Sequence, residues 1–143
     1  MSKETVLNEL VGNLGVLYIK LHQHHFYVKG EAFFRLHQKF EDYYNEVHEQ
    51  LDEVAERLLM IKGKPVSTLA EFLEVSSIKE APYTKEKSQI EMVKEVVEDF
   101  KVIVSLLEKG IDATEGDHVS QDMLIGIKGF YDKELWMLEA TLG

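Results

Sequence analysis

"FFRLHQKFEDYYNEVHEQLDEVAERLLMI", residues 33 to 61, carries apolar side chains at Phe33, Phe40, Val47, Leu51, Val54 and Leu58. Steps of three, four and seven put these residues on one face of a long amphipathic helix, and "KGKP" at 62 to 65 closes it. At about 100° per residue, His37, Glu41, His48, Asp52 and Glu56 fall within a stripe roughly 100° wide that borders the apolar face. His37 with Glu41, and Asp52 with Glu56, are i,i+4 pairs, so each can present two side chains to one point. Imidazole nitrogen together with carboxylate oxygen suits iron, manganese or zinc.

The flanks of this helix supply its partners. Upstream, Leu7, Leu10, Val11, Leu14, Leu17, Tyr18 and Leu21 predict a first helix from Thr5 to about Val28, stopped by Gly30. It ends in "HQHHFYVKG", residues 22 to 30, which packs His22, His24 and His25 into four positions. Downstream, residues 63 to 84 are too long for a tight turn and contain one short helical pattern, "TLAEFLEV". A third helix is expected over "EKSQIEMVKEVVEDFKVIVSLLEKG", and a fourth over "VSQDMLIGIKGFYDKELWMLEATL" after the loop "DATEGDH". Short first and last connections make antiparallel neighbours, and the long middle one permits a crossover. The expected fold class is therefore all-α, a four-helix bundle with a short helix in the crossover between the second and third long helices.

Composition narrows the function. With 143 residues and 45% hydrophobic content, the chain suits a single domain, 1–143, with one core. A formal charge of -10 argues against phosphate backbones as default partners and favours cations or solubility. Cysteine is absent, which excludes disulfides and thiolate chemistry. The start, "MSKETVLNEL", lacks the apolar run of a signal peptide, and no stretch approaches the roughly 20 apolar residues of a membrane span, so a cytoplasmic location is expected.

One copy of the second helix cannot close a metal site, because His37 and Asp52 lie about 22 Å apart along its axis. Two copies crossing antiparallel near residues 46 and 47 would set His37 and Glu41 of one chain opposite Asp52 and Glu56 of the other. A twofold dimer would then hold two equivalent sites. The plainer reading is a solvated acidic face, since residues 41 to 56 include seven acids and no Lys or Arg. His48, midway between the pairs, reads as an interface or surface residue. Leu14 and Leu21 share a face with His25, so a core histidine is its alternative to a ligand. His22 and His24 read as ordinary polar positions.

The run "LHQHHFYVKGEAFFRLHQKFEDYYNEVHEQLDEVAERLLMIKGKPVSTLAEFLEVSSIKE", followed by "DMLIGIK" and "WMLEATLG", resembles the Dps-type miniferritins, the DNA-protecting proteins of starved bacterial cells. Within that ferritin-like superfamily it looks like the Gram-positive type that does not bind DNA. The resemblance covers nearly the whole chain. It implies a hollow dodecamer in which ferrous iron is oxidised between twofold-related chains, preferably by hydrogen peroxide, and stored as ferric mineral. The implied ferroxidase activity would detoxify iron and protect DNA and cell from oxidative damage.

The family's ferroxidase histidines match His25 and His37, and its paired acids match Asp52 and Glu56. Glu41 stands where aspartate is usual, and Phe26 stands where tryptophan is common near the iron. Trp136 matches a C-terminal aromatic and reads as a packing residue. Acids lining threefold pores correspond to Glu115, Asp117 and Asp122, with Asp117 also placed to cap the last helix. Only Lys3 precedes the first helix, so a strong DNA-binding basic tail is not expected. Two alternatives are a ferritin or bacterioferritin with Glu-x-x-His inside one bundle, for which only Glu115 and His118 have the spacing, and a ferritin-fold interaction or signalling protein with little ferroxidase activity.

Overall fold

A computed structural model describes residues 2–143 and contains five helices: α1 (Lys3–Tyr27), α2 (Phe33–Met60), α3 (Leu69–Val75), α4 (Gln89–Ala113) and α5 (His118–Leu142). Among the described residues there is no strand. The four long helices form the bundle, α1 packing on α2 and α4, and α4 on α5, while α3 lies against α1. The core is built from the expected stripes. Leu7, Leu10, Leu14, Leu17 and Leu21 of α1 meet Phe40, Val47, Val54 and Leu58 of α2, with Phe100, Ile103 and Leu107 of α4 and Leu124 of α5, all essentially inaccessible. Burying each such side chain contributes about 1.5–3 kcal/mol against leaving it in water.

Caps set the helix boundaries. The Ser2 hydroxyl accepts from the Thr5 N–H, so α1 begins two residues before the periodic pattern alone suggested. Helix α4 begins three residues later than expected, because Ser88 is its N-cap, and it runs on through Gly110 to Ala113. Gly110 is an interior packing position: a Cβ there would come 3.0 Å from Leu124. Thr68 and Glu71 cap α3 reciprocally, which gives seven residues a defined start. The α1–α2 turn needs Gly30, whose φ of 120° is unfavourable for other residues and whose missing Cβ leaves room for the Gln89 amide. Gln89 in turn accepts from the Ala32 N–H at 2.8 Å.

The crossover is tied to α1 by side chains that have no apolar periodicity. Asn13 is buried, and its Oδ1 accepts from the Ser77 and Ile78 N–H groups, each at 3.0 Å. Asn8 bonds both Lys64 O and the Val66 N–H. Gly12 and Gly15 let α3 sit directly on α1: a Cβ on the first would come 2.1 Å from Val75, and on the second 2.5 Å from the Phe72 ring. With α3 covering its outer side, α1 is buried all round from Val11 to Leu17. No helix of the described residues is long and apolar enough to cross a membrane.

Candidate metal centre

The α1–α2 turn brings together two residues twelve apart in sequence. His25, near the end of α1, and His37, in the second turn of α2, stack face to face with ring centroids 3.7 Å apart and planes inclined by 16°. The His25 Nδ1 donates to the His37 carbonyl, and the His37 Nδ1 donates to the His25 carbonyl, both at 2.8 Å. A carbonyl only accepts, so each Nδ1 must carry the proton. In the neutral rings this leaves each Nε2 with its lone pair, and the backbone fixes tautomer and ring orientation as it does for metal-ligating histidines. Phe33 closes the other side of His37, its ring 4.8 Å away.

Glu41 completes the group in this chain. Its carboxylate lies 3.9 Å from the His25 Nε2 and is half-exposed. Tyr44 stands edge-on to His25 with centroids 5.4 Å apart, and His22 stacks on Tyr44 at 3.7 Å. His22 Nδ1 is spent on the Tyr18 carbonyl at 2.7 Å. Phe26 is largely exposed beside the pair, 5.9 Å from His25.

Asp52 and Glu56 are exposed further along α2. Among the described residues of a single chain, no three His, Asp or Glu side chains converge to hold a metal ion. A single chain thus presents two separated groups of potential donors: two oriented imidazoles with Glu41 at one end of α2, and a carboxylate pair towards the other.

Several sequence assignments change. His24 is a core residue, 2% exposed against the Phe40 ring, where an ordinary polar position was expected. Burial pushes its pKa down to about 4, although Glu95 pulls the other way. Its Nε2 finds no hydrogen-bond partner among the described residues. Position on the helical wheel did not reveal this, because α1 is buried on more than one side.

Asp117 is the N-cap of α5, taking the Ser120 N–H and hydroxyl while also pairing with Lys3 and Arg57, each at 3.2 Å. The Ser120 hydroxyl foremost, with Lys3 and the Ser120 N–H, holds its carboxyl well below the usual range. Of the three acids assigned to a pore it is therefore the one already committed within its own chain, whereas Glu115 and Asp122 are exposed. Glu115 and His118 lie exposed at the α4–α5 turn, so their Glu-x-x-His spacing does not face the bundle interior. Trp136, read as a packing residue, is 69% exposed and does not pack into its own bundle.

The ferritin-like domain family matches residues 4–143. The DNA protection during starvation protein of Listeria monocytogenes is 49% identical over 139 residues, covering 96% of this chain and 89% of that protein. General stress protein 20U of Bacillus subtilis is 45% identical over 147 residues, covering both chains completely. The X-ray structure of Dps from Listeria monocytogenes superposes with a TM-score of 0.97 at 47% identity, covering 100% of this chain and 94% of that one. With the bundle, the crossover helix and the paired histidines all in place, this chain belongs to the ferritin-like proteins and, within them, to the Dps family.

Proposed function

We propose that this protein is a cytoplasmic ferroxidase that binds ferrous iron between two copies of the chain, oxidises it, preferably with hydrogen peroxide, and stores the ferric product inside a hollow dodecamer. Membership of the Dps family supports the coarser statement, iron storage and protection of DNA in starvation. The observation that carries the finer one is the reciprocal lock of His25 and His37, which presents two lone-pair nitrogens beside Glu41. Histidines kept only for packing do not require both Nδ1 protons to be consumed by backbone while both Nε2 atoms are left free.

In this reading Asp52 and Glu56 of the partner subunit face the imidazole pair across a twofold axis. Carboxylates are hard anionic ligands and favour ferric over ferrous iron, so they ease oxidation. Two ferrous ions each give one electron to hydrogen peroxide, its O–O bond breaks, two protons are taken up and two waters form. Pairing the electrons in this way releases no hydroxyl radical. Glu41 reaches one methylene further than the usual aspartate, which lets its carboxylate meet an ion held at the His25 Nε2. Asp122, exposed in the first turns of α5, is the proposed guide for iron on its way in. Asp122→Asn slows iron uptake with assembly unchanged; uptake at the parent rate would remove Asp122 from the path.

The test of the whole reading is anaerobic loading with ferrous iron followed by peroxide, comparing the protein with Asp52→Asn. The substitution abolishes fast oxidation and leaves the oligomer intact. Oxidation no faster than that of iron in buffer, in the parent itself, would leave a ferritin-fold protein whose role lies in interaction.

A further inference from the structure

Beside the His25–His37 pair, four rings form a second patch on the α1–α2 hairpin: Tyr18 and His22 from α1, Tyr44 and His48 from α2. Tyr18 is its centre. Its ring stands edge-on to His22 with centroids 4.7 Å apart and to Tyr44 at 6.1 Å, and His48 leans on it at 5.9 Å, inclined by 40°. The other three rings are half-buried, whereas His48 is exposed. His22, His25 and His37 each spend Nδ1 on a backbone carbonyl. His48 spends neither nitrogen inside its own chain: among the described residues it has no hydrogen bond and no ion pair, and its ring rests on Tyr18.

The twofold arrangement proposed above fixes where this imidazole goes. Setting residue 37 opposite 56 and 41 opposite 52 puts the axis midway between residues 46 and 47, so His48 stands about 2 Å along the helix from it. Around the helix, at about 100° per residue, His48 falls inside the arc bounded by His37 and Asp52. A contact that turns those residues towards the partner therefore turns His48 towards it as well, and close to the axis it meets its own copy. We propose that His48 and His48 of the partner subunit together bind one divalent ion of the zinc type on the twofold axis, at a site separate from the iron centres.

Helix axes in contact lie about 8–10 Å apart, which leaves room for two imidazoles with an ion about 2 Å from each nitrogen and water in the remaining positions. The donors choose the ion: two neutral nitrogens with no carboxylate between them suit zinc or copper, and ferrous iron ranks below both in affinity for such a set. The seven acids between 41 and 56, with no Lys or Arg among them, concentrate cations near the axis. Because each copy gives one imidazole, the ion is held by paired chains and favours the pair over separate chains. The inference rests on the twofold reading for that pairing and does not depend on iron oxidation.

Zinc alone is the probe, with bound metal counted after equilibrium dialysis of the intact protein. The iron centres offer nitrogen and oxygen donors to zinc too, so the readout is the difference between the parent and His48→Gln. The variant binds fewer ions by one per two chains and oxidises iron at the parent rate in zinc-free buffer. Equal zinc content overturns the proposal, and a deficit of one ion per chain overturns the sharing. The chain has no cysteine, so His48→Cys introduces a single thiol. A short bismaleimide joins chains of this variant in pairs. Absence of cross-linked pairs removes the axis from residues 46 and 47, and defeats the shared site and the twofold reading together. Cross-linked pairs and oxidation that Asp52→Asn abolishes, alongside unchanged zinc content in His48→Gln, defeat this inference and leave the functional reading standing.

Discussion

His25 and His24 are neighbours in sequence with opposite chemical fates. His25 has one nitrogen satisfied by the His37 carbonyl and the other facing Glu41. His24 turns into the core, 2% exposed, with an orphaned Nε2. A buried polar atom without a partner costs about 1–3 kcal/mol. His24→Leu should therefore raise stability by about 1 kcal/mol, the low end of that range because leucine does not fill the ring's volume. A denaturant midpoint at neutral pH higher than the parent's would show this, and a lower one would mean that the packing of the ring against Phe40 outweighs the unmet hydrogen bond. The histidine cluster was legible in the sequence, but the division of labour within it was not: a helix wheel gives directions, whereas burial depends on what packs on every side.

At the scale of the element, α5 depends on its first turn. Asp117 caps it, and the same carboxylate ties α5 to α1 through Lys3 and to α2 through Arg57. Its folded pKa lies below the ordinary 3.8, chiefly through the Ser120 hydroxyl. A carboxyl with a depressed folded pKa stabilises the native state fully above its unfolded value, and that contribution is lost as pH falls through the folded value. Asp117→Ala should lower stability by about 0.5–2 kcal/mol at neutral pH, the range for losing an N-cap. The gap between variant and parent should narrow as pH drops below 3.8. Denaturation at pH 7 and at pH 3 tests both statements, and a gap independent of pH would remove the charge from the account. The sequence allowed this capping role, since aspartate before a helix start is a common signal, yet nothing in it pointed to Lys3 or Arg57, which lie 114 and 60 residues away.

At the scale of the whole molecule, charge sets what the protein can approach. The chain carries a formal charge of -10, and Lys3, the one cation ahead of the periodic pattern, is the first residue of α1 and already pairs with Asp117. Affinity for duplex DNA depends mainly on cations that neutralise phosphates. No mobility shift of duplex DNA is expected at neutral pH, even at low salt, and a retarded band would refute this. Under the proposed function, protection of DNA follows from removing iron and peroxide rather than from coating the duplex.

The sequence by itself determined the four long helices and the crossover, because helical periodicity and turn residues are local, and it placed His25, His37 and Glu41 within one hairpin. It also determined that Asp52 and Glu56 sit too far along the same helix to join them in one chain, which is a matter of rise per residue. Tertiary structure alone decided that His24 and His25 are both buried, that the Asp117 cap also ties α5 to α1 and α2, and that Gly12 and Gly15 seat α3. It likewise decided that Trp136 stands outside its own bundle. Each of these depends on contacts between segments distant in sequence, where the outcome is set by the space and partners left by other helices and not by the residue's own propensity.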